Sequence, residues 1–289
     1  MAPLAQPLTA AEAGWPLPSY CRTALARRFG DPQLSAMFLL TPQKYYQGTI
    51  SGAYVVADGS LGADATPGKP PPVAHREECL TRLWAVVAKV YPQYALKIIK
   101  GVVVYVPTID KAHPVEYVGY VSPEDASLVD WSLGLAASSL EDRDLAFTMV
   151  HELGHLLSLA VSQVDLQKLR YTCPMLPAPD GCLNDKALLT SYLAATWKPE
   201  TYRSWLTLWG EEKGDRKAPT DAARHTWYLA HRNEFVDEYA TTNPREDFAE
   251  SFASWCLEWP VRSGARAKLA FFDGRPEVAA MKQRCAALT

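Results

Sequence analysis

The sequence has no apolar run approaching the ~18–20 residues that cross a bilayer. Its opening Met1-Ala2-Pro3-Leu4 has neither the charged stretch nor the apolar core of a secretory signal. No membrane span is expected, and the protein is either cytosolic or has a targeting segment outside this sequence. It also lacks an excess of one charge: Lys and Arg total 29 against 32 Asp and Glu, for a net charge of -3. That excludes a global basic field able to hold nucleic acid or an anionic surface. There is no Cys-x-x-Cys pair, so a zinc ribbon or a dithiol redox site is excluded. Gly62 and Gly68-Lys69 faintly suggest a phosphate loop. The glycines are one residue too far apart, however, and Pro70 stands where a Ser or Thr must bind magnesium. Internal repeats and low-complexity tracts are absent as well.

What the chain does have is 289 residues with 48% hydrophobic content, enough to close the core of one large or two ordinary domains. Its six cysteines form an even set compatible with three bridges. Cys173 and Cys182 bracket Pro-Met-Leu-Pro-Ala-Pro-Asp-Gly, a turn-rich segment that a local bridge can staple. This favours an oxidised, secreted or periplasmic protein. A cytoplasmic location is the alternative, because free Cys is also an ordinary small core residue.

Hydrophobic periodicity predicts an α+β order. The chain through Leu40 reads as a Pro- and Ala-rich surface arm with one short helical run near Thr23 to Phe29. Lys44 to Asp58 is aromatic and β-branched, which predicts a strand pair or one long strand, and Gly59 to Pro72 reads as a break. From His75 to Tyr91, Leu80, Leu83, Trp84, Val87 and Val90 recur at helical spacing, with Pro92 as the stop. Strands are predicted at Leu96 to Val106, Val115 to Val121 and Ser127 to Leu135. A long helix follows from Glu141 to Val161, its acidic first turn matched to the positive end of the helix dipole. Gln163 to Trp209 reads as irregular and Gly210 to Asp221 as a charged loop, with helices resuming at Ala222 to Ala240 and Pro244 to Trp259. The expected division is an arm and strand elaboration over 1–74, packed on a catalytic domain over 75–289.

Inside the long helix stands His151-Glu152-Leu153-Gly154-His155, the pattern H-E-x-x-H. Residues four apart project from one helical face, so both imidazoles can reach one ion. Glu152, one step round, can act on a water beside it. Phe147, Val150, Leu153, Leu156 and Leu157 supply the apolar face that such a helix buries. Catalytic zinc needs a third protein ligand. The continuation H-x-x-G-x-x-H would require Gly and His where this chain has Ser158 and Val161, so the third ligand comes from elsewhere. The candidates are carboxylates between Asn233 and Glu258. Glu246 and Glu250 lie four apart beside an apolar helical side of Phe248, Ala249, Phe252, Ala253, Trp255 and Cys256. One of the pair would bind metal and the other would orient a ligand. Asn243-Pro244-Arg245-Glu246 also fits a helix start, so capping is a second explanation for Glu246.

With H-E-L-G-H followed by Y-A-T-T-N-P-R-E-D-F-A-E, the chain resembles the gluzincin zinc metallopeptidases of the anthrax lethal factor and Pro-Pro endopeptidase group. In that group a Tyr seven residues ahead of a Glu precedes a helix of the form E-x-F-A-E. The resemblance spans Leu140 to Trp259 and rests on these two blocks. It implies a zincin-like fold with a small mixed sheet over the active-site helix and a mainly helical C-terminal part. It further implies His151, His155 and Glu246 as ligands of Zn2+, Glu152 as general base, Tyr239 as transition-state hydrogen-bond donor, and Glu250 as a residue behind the ligands. His231 is the alternative donor to Tyr239, although both His225 and His231 fit packing or surface roles. The expected function is a zinc metalloendopeptidase acting on a protein or peptide substrate laid along the edge of Val115 to Val121. Two rivals are a secreted zincin-fold binding module without turnover and a zinc amidase acting on a cell-wall link.

Overall fold

The computed structural model describes residues 17–25, 48–65, 73–107, 118–137, 142–169, 172–173, 178, 181–209 and 219–288. The chain divides into two compact units, 1–152 with 287–289 and 153–286. The architecture is α+β, a five-stranded mixed sheet with ten α-helices among the described residues.

The first unit runs α1 (Ser19–Leu25), β1 (Gly48–Ala57), β2 (Ser60–Asp64), α2 (Arg76–Val90), α3 (Gln93–Ile98), β3 (Ile99–Pro107), β4 (Gly119–Pro123), β5 (Trp131–Ala136) and the start of α4 (Asp142–Leu159). The sheet order is β2-β1-β3-β5-β4. β3 and β5 are parallel and the other pairings antiparallel, so β4 runs at the rim and β5 returns between it and β3. Leu80, Leu83, Trp84, Val87 and Val90 are all buried on α2, as their spacing predicts. Cys21–Cys79 fastens α1 to α2.

Three expectations in this unit need correction. The stretch from Gly59 is no break as far as Ala65, because Asp58 and Gly59 both adopt positive φ (52° and 76°) and turn the chain back into β2, pairing Ala57 with Ser60, while 66–72 lie outside the described residues. A two-residue Asp-Gly turn of that hand matches the twist of the flanking strands. Pro92 is the N-cap residue of α3, which takes up Gln93–Ile98 and delays β3 to Ile99. The third predicted strand starts late: Asp125 Oδ1 accepts from Ser127 N at 2.8 Å and Leu128 has φ 55°, a turn that ends only at Trp131. The edge expected at Val115 to Val121 is observed as β4 from Gly119, and 115–117 lie outside the described residues.

The second unit carries the end of α4, then β6 (Val164–Asp165), β7 (Cys182–Leu183), α5 (Leu188–Thr196), α6 (Pro199–Trp209), α7 (Asp221–His231), a 3₁₀ turn (Tyr239–Thr241), α8 (Pro244–Cys256), α9 (Arg266–Asp273) and α10 (Pro276–Cys285). The stretch read as irregular thus holds a small hairpin and two helices. In α5, Leu188, Leu189, Tyr192 and Leu193 are buried at helical spacing, but the exposed face is Ala194 and Ala195 rather than charged residues, so the period has little polar contrast. The helix expected through Ala240 stops at His231, where the chain turns to bury Phe235 against Trp197 at 5.1 Å between ring centroids. Phe248 and Phe252 of α8 meet Phe272 of α9 edge-on at 5.3 and 5.5 Å, with Tyr192 of α5 against Phe248 at 5.2 Å. This aromatic core fixes α8 against its neighbours, and truncating any one ring to Ala would cost about 3–5 kcal/mol.

All six cysteines pair: Cys173–Cys182 is formed as expected, alongside Cys21–Cys79 and Cys256–Cys285. The two longer loops, separated by 58 and 29 residues, are each worth about 3–4 kcal/mol in a chain-entropy account. No helix among the described residues is long and apolar enough to cross a membrane.

Candidate metal centre

α4 carries the two imidazoles. Val150, Leu153, Leu156 and Leu157 are buried on one side, which fixes the rotation of the helix, and the half-buried Phe147 lies one turn ahead of His151. His151 and His155 therefore share the remaining face, one turn apart. α8 brings the carboxylate. Asn243 caps it, its side chain accepting from Arg245 N at 2.9 Å and Glu246 N at 3.2 Å, and Pro244 occupies the first turn, where an N–H is not needed. With capping assigned to Asn243, the Glu246 Oε2 lies 3.1 Å from His155 Nε2. One ligand atom each from His151, His155 and Glu246 falls within 4.8 Å of the others, with His151 buried and the other two partly so.

Two imidazoles and a carboxylate are a zinc donor set, and ligand atoms around a tetrahedral zinc with bonds near 2.0–2.1 Å stand about 3.3 Å apart. The 3.1 Å spacing of Nε2 and Oε2 fits that geometry. The residues present suit the ion that the motif implies.

Gly154, inside H-E-L-G-H, sets how near α8 can come. A Cβ there would stand 2.9 Å from Ala249 Cα and 3.3 Å from Ala249 Cβ. The obstruction is backbone, so rotamer changes cannot relieve it. Helix propensity favours Ala over Gly by about 1 kcal/mol, whereas overpacking costs about 1–3 kcal/mol. Gly154→Ala is therefore expected to lower the Tm and weaken zinc binding together, because α8 has to move and Glu246 moves with it. Thermal unfolding and a zinc titration measure both, and a raised Tm with unchanged affinity would contradict this packing argument.

Glu152 is 4% exposed and lies beneath the rim strand. A Cβ on Gly119 of β4 would stand 2.4 Å from Thr148 Cγ2 and 3.1 Å from Glu152 Oε1, so only glycine lets the strand pass this close to the helix. Tyr91, fully buried at the end of α2, donates its phenol to the Met149 carbonyl at 2.8 Å. Burial, and after it the Glu152 charge, pushes the Tyr91 hydroxyl well above its usual range, so it stays protonated as a donor.

Of the remaining predicted residues, Glu250 is buried one turn beyond Glu246 on α8, and Tyr239 opens the 3₁₀ turn with 44% of its surface exposed. Among the hydrogen bonds that hold that turn, Asp237 Oδ1 accepts from Ala240 N at 2.8 Å, and Trp205 Nε1 donates to Thr241 O at 3.0 Å. His231 stacks on Trp227 at 4.1 Å and donates through Nδ1 to the Trp227 carbonyl, a packing role, while His225 pairs with Glu238 at the surface at 3.0 Å. Trp131, Trp197 and Trp205 belong to the core.

Sequence reasoning missed a buried polar group beside Glu246. Asp247 Oδ2 accepts from Trp197 Nε1 at 2.7 Å and Tyr192 OH at 2.9 Å, and it pairs with Lys268 Nζ. Burial pushes the Asp247 carboxyl up and the Lys268 ammonium down, and each charge opposes the shift of the other. Asp247 and Lys268 stand 21 residues apart in the chain, and no local pattern announces the pair. Gly154 could have been found, since a glycine inside a helix signals close packing. No protein-family model matches the chain, nor does any curated protein or solved structure.

Proposed function

We propose that the protein is a zinc metalloendopeptidase of gluzincin type with a zincin-like fold, in which His151, His155 and Glu246 hold the ion. The convergence of these three side chains within 4.8 Å, two of them from the helix that also carries the buried Glu152, supports this reading. Zinc held there supplies a water acidified towards neutrality and polarises a scissile carbonyl. Glu152 takes a proton on its carboxylate and returns it to the leaving amine. Its burial under β4 keeps bulk water from competing for that proton. Tyr239 donates its hydroxyl to the carbonyl oxygen as negative charge develops, and Glu250 orients the ligands from behind. β4 is terminal in the sheet, so an extended substrate can pair with its outer side and present one peptide bond to the helix below. Three disulfides fit a secreted or periplasmic enzyme.

A mixed peptide library tests the function. Cleavage that is lost to a chelator and restored by zinc supports it. Release of cell-wall fragments without peptide cleavage would favour the amidase, and intact peptides and cell wall would favour a binding module. Tyr239→Phe refines the site, since removing one oxyanion donor is expected to lower kcat by about 10²–10³ with little change in ground-state binding. Full turnover in that variant would take the donor role away from Tyr239.

A further inference from the structure

Lys268 on α9 and Asp247 on α8 are 3% and 0% exposed at their side chains. The ammonium sits 4.1 Å from the ring centroid of Phe235, 5.0 Å from Trp197 and 5.6 Å from Tyr192. The carboxylate gathers Lys268 from α9, Tyr192 from α5 and the Trp197 indole just after α5. Tyr192 OH also hydrogen-bonds Ser251 Oγ at 2.9 Å, one turn further along α8. A buried ion pair is often no more stabilising than apolar residues of the same volume, so stability alone is a weak reason to keep this one. Its place in the sequence is a stronger one, because Asp247 directly follows Glu246 on the first turn of α8. Neighbouring residues point about 100° apart round a helix, so one carboxylate is locked into the core while the other is presented to His155.

We propose that Lys268 and Asp247 are positioning residues for the metal ligand: their pair clamps the first turn of α8 to α5 and α9 and so fixes the angle at which Glu246 meets His151 and His155. A rotation of about 20° swings a carboxylate roughly 6 Å from the helix axis by about 2 Å, a whole zinc–oxygen bond length. Gly154 sets how closely α8 packs on α4, and the clamp sets its rotation. Neither Lys268 nor Asp247 touches substrate. The inference rests on the zinc reading of the site.

Lys268→Met alone strands a buried carboxylate and risks unfolding. The test therefore uses Lys268→Met/Asp247→Asn, which removes both charges and keeps an acceptor for Trp197 and Tyr192, and Trp197→Phe, which withdraws one donor and keeps the charges. Zinc affinity is measured by competition with a chromophoric chelator, together with the absorption spectrum of the cobalt-substituted protein and the Tm. The expected result is zinc binding weakened about 10–100-fold in the double variant and a few-fold in Trp197→Phe, with an altered cobalt spectrum and a Tm within a few degrees of the parent. Parental zinc affinity and an unchanged cobalt spectrum in either folded variant would overturn the proposal and reduce the pair to core filling. If the unaltered protein itself takes up neither zinc nor cobalt, the metal reading falls, and this inference falls with it.

Discussion

Glu152→Gln is expected to keep its fold and its zinc while losing turnover by roughly 10²–10⁴-fold or more, the usual cost of removing a general base. The amide has the size of the carboxylate, and the side chain is 4% exposed in a space closed by Thr148 and Gly119, so the change adds no bulk and admits no substitute base. His151 and His155 are untouched, so metal content is the internal control. Comparing kcat with zinc per chain, in protein free of contaminating protease, checks it. A Glu152→Gln protein that cleaves as fast as its parent would remove Glu152 from the chemistry.

Glu246→Ala should act on the metal itself. It deletes one of the three proposed ligands and the 3.1 Å contact with His155 Nε2. Asn243 continues to cap α8, so the helix loses only the favourable placement of a carboxylate in its first turn, about 0.3–1 kcal/mol. The protein should therefore stay folded with zinc affinity reduced by more than about 100-fold, beyond the 10–100-fold typical of residues behind the ligands. Glu250→Ala should fall within that smaller range. Zinc competition on the two variants side by side ranks them, and the reverse order would exchange their roles.

What could be read from the sequence followed the range of each signal. H-E-x-x-H was legible because helical spacing alone puts His151 and His155 on one face. Glu246 needed a second motif 91 residues beyond His155, supplied by the resemblance, and the structure brings the two side chains together. Cys173–Cys182 was legible from its nine-residue separation, whereas Cys21–Cys79 and Cys256–Cys285 depend on how α1, α2, α8 and α10 pack. The β1–β2 hairpin was lost by treating Gly59 as punctuation, although Asp58-Gly59 is itself a turn signal. α5 escaped because its outward positions include Ala194 and Ala195 and no charged residue, which leaves its period without polar contrast. The close crossing at Gly154 and the Asp247–Lys268 pair are properties of packed helices, and they appear only once α8 has been placed.

All of these expectations assume that His151, His155 and Glu246 form a metal site. Metal analysis of freshly purified, unaltered protein tests that assumption most directly. One zinc per chain, removed by a chelator and taken up again on addition, is the result expected from this donor set. Protein that carries no zinc and takes up none when it is supplied would contradict it.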